Sequence, residues 1–190
     1  KLAPRNFRDF IAFAGRTKPA LFYASIGNGS EHHLAMEMLK QAAGIELAHV
    51  PYKGGGPAAL GVMSGDVAAM FGGGSVASLI QSGELRGLAI SGRKRSPALP
   101  DLPSIAEFYP DYEVTLWQGL FAPVGTRPAI VARLRTELNA VLAQPDVMDK
   151  LAAAGSGDPY ISTQADFATR LRADYDKYGK VIAAIGLKVE

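Results

Sequence analysis

The chain has 190 residues, of which 48% are hydrophobic and 20% are charged, so its composition is that of a globular protein and not of a disordered one. Twenty Lys and Arg against 18 Asp and Glu leave a net charge of +2, which argues against a nucleic-acid partner, since such a protein needs a concentrated basic face. The chain has no cysteine, which excludes disulfides, thiol catalysis and Cys-ligated metal, and it has no apolar run of about 18 residues that would insert into a membrane.

The first half of the chain alternates between helical and strand patterns. The predicted elements are a helix over 6–14, a strand over 21–24, a helix capped by Ser30 that ends at Gly44, a strand over 46–51, a helix after Pro57 that ends near Gly65, and strands over 67–71 and 85–91. This order calls for parallel strands joined by right-handed helical crossovers. The sequence therefore predicts an α/β fold.

The second half becomes mostly helical after about residue 123, which marks a candidate domain boundary. The predicted elements are a polar loop over 92–103, a short helix over 104–108, a strand over 114–122 around Trp117, long helices near 127–143, 145–154 and 163–184, and a last strand over 186–189. Thr126 is the predicted N-cap of the helix near 127–143, and Pro128 lies in its first turn.

Three predicted strand-to-helix turns are rich in glycine, at 27–30, 54–56 and 72–75. In a parallel sheet such turns lie at the carboxyl ends of the strands, where ligands bind. Glycine lets backbone N–H groups approach a ligand closely, and a helix N-terminus adds unpaired donors and the positive end of its dipole. Three such turns at one edge predict a pocket with free amide hydrogens for a carboxylate or a phosphate.

The sequence does not match the motifs of common nucleotide-binding proteins and serine hydrolases. Lys53 precedes its glycines, whereas a phosphate-binding loop places the lysine after them, and His32 stands where a dinucleotide motif needs glycine. The turn around Ser75 approaches that of a serine hydrolase, but no histidine follows it in the sequence, so the triad order fails. These departures argue against nucleotide binding and acyl transfer.

Two alternatives to a binding protein remain open. One is an α/β enzyme acting on a small anionic substrate, with His33 and Lys53 as acid and base groups. The other is an interaction module that uses the basic loop Arg93-Lys94-Arg95. His33 and Glu37, four residues apart, could share a metal ion, but no third ligand accompanies them, so we predict no metal, no cofactor and no catalytic residue.

Four segments together resemble one family, the Bug-type periplasmic receptors of tripartite tricarboxylate transporters. They are Ala24-Ser25-Ile26-Gly27-Asn28-Gly29-Ser30 with His33-Leu34-Ala35, His49-Val50-Pro51-Tyr52-Lys53-Gly54-Gly55, Lys94-Arg95-Ser96-Pro97-Ala98-Leu99-Pro100-Asp101-Leu102-Pro103, and Gly119-Leu120-Phe121-Ala122-Pro123-Val124-Gly125-Thr126. The resemblance spans nearly the whole chain.

The resemblance implies a type II periplasmic-binding-protein fold, with a mostly parallel sheet flanked by helices in a two-domain clamshell. Residues 1–117 would form the cleft domain, and 118–190, mostly helical, would return to the other domain. That domain would be largely absent, together with an N-terminal portion that carries a signal peptide. A chain that lacks half of the cleft is expected to bind its ligand poorly by itself.

The resemblance also implies a function without catalysis: a small carboxylate is held in the cleft and delivered to membrane permease subunits from the periplasm. The residues implied at the site are Ser25, Gly27, Asn28, Gly29, Ser30, His33, Tyr52, Lys53, Gly54 and, in the third turn, Gly72. Gly72 follows Phe71 where the family commonly has an acidic residue. A receptor for amino acids would use that carboxylate, so its absence favours a ligand without an ammonium group.

Overall fold

A computed structural model describes residues 3–153 and 161–187 of the chain. These residues divide into two compact units: one holds the described residues up to Thr115 and those from Asp174 onward, and the other is Leu116–Ala173. The clamshell boundary expected near residue 117 concerns two domains of a longer protein, and it stays a prediction.

Up to about residue 71, helices and strands follow one another in the order that the sequence predicts. The elements of the described residues are α1 (Phe7–Arg16), β1 (Leu21–Ser25), α2 (Glu31–Ala43), β2 (Leu47–Pro51), α3 (Gly55–Ser64), β3 (Ala69–Met70), α4 (Ala77–Gln81), α5 (Pro128–Leu142), α6 (Pro145–Ala153) and α7 (Gln164–Ala184), with 3₁₀ turns at Gly74–Val76 and Ile105–Glu107. No helix in the described parts of the chain combines the length and the apolar character needed to cross a bilayer.

The three strands form one parallel sheet in the order β2-β1-β3. Leu21 lies opposite Leu47 and Ser25 opposite Pro51, so β1 and β2 run in register along their whole length. Ala24 lies opposite Met70 of the short strand β3. All three strands therefore finish at the same edge of the sheet.

Apolar side chains cover both faces of this sheet. Successive residues of β1 point to opposite faces, so Tyr23 joins the larger core with α1 and α2, whereas Ala24 packs with Ala58 of α3 and Val67. Phe7 and Phe10 of α1 and Leu39 of α2 belong to that larger core, which also takes in Ile105, Tyr112 and Val114. Helices on both faces of a parallel sheet are the predicted α/β arrangement.

Two predicted strands, 85–91 and 114–122, do not form. Between residues 85 and 91 only Ile90 pairs, through a single parallel bridge with Ser104. Leu88 and Ala89 pack instead against the larger core. An apolar run signals burial, and strand pairing needs a partner backbone as well.

The segment that starts at Val114 is irregular, and its apolar side chains are used in packing. The Val114 amide donates to the carbonyl of Ser91 at 2.9 Å, and beyond it Trp117 lies edge-on against Phe167 with the ring centroids 5.3 Å apart. The strand predicted around Trp117 was therefore wrong, and the aromatic contact within the second unit accounts for the apolar sequence.

Local sequence signals predicted one helix cap correctly and another wrongly. Ser30 caps α2 as predicted, since its Oγ accepts the amide of His33 at 3.3 Å. Thr126 was wrongly predicted to cap α5: Pro128 is the first helical residue, which makes Arg127 the cap position, and the Thr126 hydroxyl donates to the carbonyl of Pro123 at 2.8 Å. Of the last predicted strand, 186–189, residues 186 and 187 follow α7 without strand pairing, and the remainder lies outside the described residues.

Replacing Tyr112 by Phe tests the tie between α2 and the segment over 105–114. The Tyr112 side chain is buried, and its hydroxyl donates to the carbonyl of Ala35 at 3.0 Å. We expect Tyr112→Phe to lower the free energy of unfolding by about 0.5–1.5 kcal/mol, measured by urea denaturation. The control is Tyr109→Phe, because that ring packs edge-on against Phe7 without a hydroxyl bond among the described residues. Equal losses in the two variants would contradict this account of the core.

Candidate functional site

Three turns meet at the edge where the strands end. The first turn (26–30) follows β1, the second turn (52–54) follows β2 and the third turn (71–73) follows β3. The register that pairs Ser25 with Pro51 and Ala24 with Met70 makes these turns neighbours. The convergence expected from the glycine pattern is therefore present.

The first turn is held by two serine hydroxyls. Gly27 and Gly29 have φ of +136° and +73°, which only glycine adopts readily. The Gly27 amide donates to Ser25 Oγ at 3.1 Å, and Ser30 Oγ donates back to the Gly27 carbonyl at 2.7 Å. Both glycines are thus required by the backbone conformation, and both serines by the hydrogen bonds of the turn.

Some amides of this turn are not free, contrary to the expectation of unoccupied donors. Besides Gly27, the amide of Gly29 donates to His33 Nδ1 at 3.1 Å, and the amide of His33 is taken by the cap serine. The chain's own side chains thus occupy three of the donors. The amide of Ser30 donates to the carbonyl of Gly27 at 3.3 Å. Across the described residues, the amides that make no hydrogen bond in this turn and helix start are those of Ile26, Asn28, Glu31 and His32.

The second turn keeps its donors open. Gly54, with φ of +108°, stands at the cap position of α3, and no side chain of the described residues caps that helix. Pro57 has no amide hydrogen, so the open donors of the first helical turn are those of Gly55 and Gly56. Lys53 is exposed, and among the described residues its ammonium has no ion-pair partner. This turn therefore fits the predicted anion site better than the first turn does.

Tyr52 joins the first two turns through its backbone. Its amide donates to the carbonyl of Ser25 at 2.9 Å. Its ring is half-buried and lies against Gly61 of α3, where a Cβ would collide with the phenol. The side chain of Tyr52 thus packs on the helix, and its contact with a ligand stays a prediction.

The third turn has no acidic side chain. Gly72 is exposed, and a Cβ at this position would lie 2.6 Å from the side chain of Val76. Packing against Val76 therefore accounts for a residue without a side chain at this position. Residues 71–76 contain neither Asp nor Glu, so this turn gives the site no negative charge.

A buried polar cluster lies beneath the first turn. The Tyr23 hydroxyl donates to Glu37 Oε1 at 2.6 Å, and Lys40 Nζ lies 2.8 and 2.9 Å from the two oxygens of the same carboxylate. Burial and the neighbouring Glu37 raise the pKa of Tyr23 well above its usual range. The lysine compensates the charge of a carboxylate that is 8% exposed. The sequence pattern shows the spacing of His33 and Glu37, but it does not show Tyr23 or Lys40 as their partners.

Two histidines stack above this carboxylate. The rings of His33 and His49 are nearly parallel, with their centroids 3.9 Å apart, and His49 Nε2 lies 2.6 Å from Ser25 Oγ. Burial lowers the pKa of His33, and burial together with His33 lowers the pKa of His49 to about 4. Both rings are therefore neutral near neutral pH. Sequence reasoning missed His49 as a site residue because its place beside Tyr23 depends on the strand register.

The pair of Ser25 and His49 is not arranged for nucleophilic catalysis. Ser25 is 0% exposed, and its Oγ already contacts both the amide and the carbonyl of Gly27. A nucleophile must reach its substrate, so this hydroxyl supports the turn instead. Within residues 3–153 and 161–187, no three His, Asp or Glu side chains are grouped so that they could hold a metal ion.

Both arginines of the basic loop form ion pairs with glutamates of the same unit. Arg93 Nε lies 3.0 Å from a carboxylate oxygen of Glu113, and Arg95 makes a two-point contact with Glu107 at 2.7 and 2.8 Å. The guanidinium of Arg95 lowers the pKa of Glu107 to about 2. The arginines are thus partly used within the fold, which weakens the idea of an interaction module built on this loop.

Residues 3–187 match the family model described as "Tripartite tricarboxylate transporter family receptor". The chain belongs to this family. The family is one of receptors, so the prediction of a receptor and not an enzyme is confirmed at that level. The alternative of an α/β enzyme is therefore not kept.

A curated relative matches most of the chain. The protein from the tcbD-tcbE intergenic region of Pseudomonas sp. strain P51 is 39% identical over 159 residues, which cover 80% of this chain and 47% of that protein. The chain thus spans about half the length of this relative.

Solved receptors share the fold. R. palustris Rpa4515 with adipate has a TM-score of 0.86 at 32% identity, covering 98% of this chain and 62% of that one. The periplasmic binding protein BugD gives a TM-score of 0.85 at 26% identity, covering 100% of this chain and 64% of that one. MatC from Rhodopseudomonas palustris with bound malate gives 0.79 at 25%, with 95% and 63% covered. The predicted fold class and the Bug-type resemblance are confirmed.

The neutral histidine pair makes the stability of the fold depend on pH. His33 and His49 bind protons less readily in the folded chain than in the unfolded one, where the ordinary pKa is about 6.5. Below that pH the unfolded chain takes up more protons, so stability is complete above about pH 6.5 and falls as the pH drops toward about 4. We expect a loss of roughly 1–3 kcal/mol across this window, measured by urea denaturation. His49→Gln should flatten the dependence, and an unchanged slope in that variant would contradict the assignment.

Replacing Tyr23 by Phe tests the buried carboxylate. The variant removes one donor from Glu37 and leaves Lys40 in place, so we expect the free energy of unfolding to fall by about 1–3 kcal/mol. Tyr175→Phe is the matched control, because that side chain is 79% exposed. Thermal and urea unfolding measure both variants. Equal stability of Tyr23→Phe and the parent would show that the hydroxyl does not support Glu37.

Proposed function

We propose that this protein is an extracytoplasmic receptor that holds a small dicarboxylate at the edge where the three turns meet and delivers it to a membrane permease. One observation carries the proposal: this edge combines open amide donors with the ammonium of Lys53, which has no ion-pair partner among the described residues, and its third turn has no acidic group. A site of this composition favours an anion.

The beginning of α3 is the main part of the proposed grip. A helix N-terminus carries partial positive charge, and here neither a side chain nor an acidic residue in the first turn offsets it. The amides of Gly55 and Gly56 can donate to one carboxylate oxygen each, with the ammonium of Lys53 close in sequence. The beginning of α2 adds its own open amides next to the first turn.

The ligand class follows from the charges of the site. The related structures with adipate and with malate hold dicarboxylates that lack an ammonium group. With Gly72 in place of an acid, an amino acid would find no carboxylate at the third turn to pair with its ammonium. We therefore propose a dicarboxylate without an amino group.

The proposal includes a second domain and a closing motion. This chain spans 62–64% of three solved relatives, and in our proposal residues 1–117 form one wall of a cleft while 118–190 lead toward the other domain. The exposed side of α5 supports this, because none of its residues is buried and Ile130, Leu134 and Leu138 form an apolar stripe at helical spacing. A ligand that touches both walls would stabilise the closed state.

The place of action is proposed from the family. BugD is described as a periplasmic binding protein, and a receptor that supplies a transporter from outside must work there. The permease would recognise the closed, loaded form, since ligand closure is what distinguishes it from the empty one.

Titration with dicarboxylates tests the proposal in the 190-residue chain. We expect adipate and malate to shift the amide resonances of Gly54, Gly55 and Gly56 saturably in ¹H–¹⁵N NMR spectra, with dissociation constants of about 10 mM or tighter. The matched ligand 2-aminoadipate should bind more weakly than adipate. The absence of saturable shifts with both dicarboxylates would refute the proposal.

Lys53→Gln tests the ammonium, and Lys18→Gln is its control, because Lys18 precedes β1 and so lies at the opposite end of that strand. The Lys53 variant should weaken adipate binding about twofold to fivefold, as expected for an exposed charge, while the control keeps the parent affinity. Equal affinities in the two variants would remove Lys53 from the site.

A further inference from the structure

The first turn takes its shape from two side chains. The amide of Gly27 donates to Ser25 Oγ at 3.1 Å, and the amide of Gly29 donates to His33 Nδ1 at 3.1 Å. Both glycines have a positive φ, so the backbone between the two acceptors is in a conformation that the rest of the chain must hold. Losing either acceptor would let the turn relax.

The contact with Gly29 determines the proton state of His33. A ring nitrogen that accepts an amide hydrogen has a free lone pair, so the proton of the neutral ring sits on Nε2, which lies 4.0 Å from Glu37 Oε1. A second proton would go to Nδ1 and place an N–H against the N–H of Gly29. Protonation of His33 and the present shape of the turn therefore exclude each other.

His49 contacts both acceptor side chains at once. Its ring stacks on His33 with the centroids 3.9 Å apart, and its Nε2 lies 2.6 Å from Ser25 Oγ. The ring of Tyr23 also lies close to that of His49, with the centroids 5.0 Å apart. One residue of β2 thus braces the two contacts that shape a turn following β1.

The surroundings keep this pair of rings neutral at neutral pH. The titratable and charged groups that face it are Tyr23 on β1 and Glu37 and Lys40 on α2, and the last two neutralise each other. Two imidazolium rings 3.9 Å apart would repel strongly in a buried site, so at most one of them can be charged. Lowering the pH must therefore change the contacts of one of these histidines before both rings are protonated.

We propose that His49 is a positioning residue of the carboxylate site, which with His33 holds the first turn in its ligand-ready shape while both rings are neutral. This inference rests on the proposed function for its effect on a ligand. As the pH falls, protonation of His33 breaks the contact with Gly29, the turn relaxes, and the carboxylate is held less well. If the added positive charge of a histidine acted only by attracting the anion, the affinity for the carboxylate would rise as the pH falls.

Two substitutions at position 49 distinguish the polar contact of His49 with Ser25 from the packing of its ring on His33. His49→Gln keeps a polar group that can reach Ser25 Oγ, whereas His49→Phe keeps a ring that can stack on His33 and loses the polar contact. We expect His49→Phe to move the amide resonance of Gly27 and to weaken malate binding about threefold to tenfold, and His49→Gln to stay near the parent at neutral pH. A purely structural role of the ring would give the reverse order, with the Phe variant closer to the parent.

A pH titration of the ligand-free chain tests the contact with Gly29. From about pH 7 down to about pH 4, the range in which the folded histidines take up protons, the amide resonance of Gly29 should follow the titration of a histidine in the parent. In His33→Asn it should not, because the side-chain oxygen of Asn accepts at every pH. Parallel behaviour of Gly29 in the parent and in this variant would overturn the inference.

Malate affinity over the same pH range completes the test. We expect the parent to lose more affinity than His33→Asn as the pH falls, while the protonation of malate itself affects both chains equally. An equal loss, or a gain of affinity in the parent alone, would overturn the inference. If the parent binds no malate even at neutral pH, the proposed function fails, whereas the behaviour of Gly27 and Gly29 in the ligand-free chain still decides the role of His49 in the turn.

Discussion

The in-register parallel pairing of β1 with β2 is the constraint on which the site depends. It sets Tyr23 beside His49 and Ser25 beside Pro51, so that one strand ends in a glycine turn and the other supplies the imidazole beneath it. A slip of one residue would send His49 to the opposite face of the sheet and remove its contact with Ser25. The same pairing brings the starts of α2 and α3 to one edge, which is why open amides from two helices lie near each other.

Beneath that edge the buried polar side chains hydrogen-bond to one another and to the backbone, so they are not available to a substrate. Glu37 is compensated by Lys40 and by the Tyr23 hydroxyl, and the Ser25 hydroxyl is taken up by Gly27 and His49. Such a network makes the loops above it rigid, and a rigid loop loses little entropy when it takes a ligand. This division, with satisfied groups below and open donors above, suits capture of a ligand better than chemistry on it.

Features that depend on neighbours in sequence could be predicted, and features that depend on partners across the fold could not. The cap at Ser30, the end of α2 at Gly44 and the glycines of the first two turns follow from local backbone preferences. The strands predicted at 85–91 and 114–122 failed because an apolar run indicates burial without naming a partner strand. The place of His49 required the register of two strands, which no local pattern contains. The occupied amides are a different case: Ser25 precedes Gly27 by two residues, a spacing typical of a serine turn, so that signal was available and was not used.

The central claim is that amide hydrogens at the edge of this sheet hold a carboxylate group. A crystal structure of the chain soaked or grown with adipate tests it most directly. The account predicts one carboxylate within about 3 Å of the amides of Gly55 and Gly56, and its position should put it within reach of Lys53. A dicarboxylate bound on another face of the sheet, with these amides still open to water, would contradict the account.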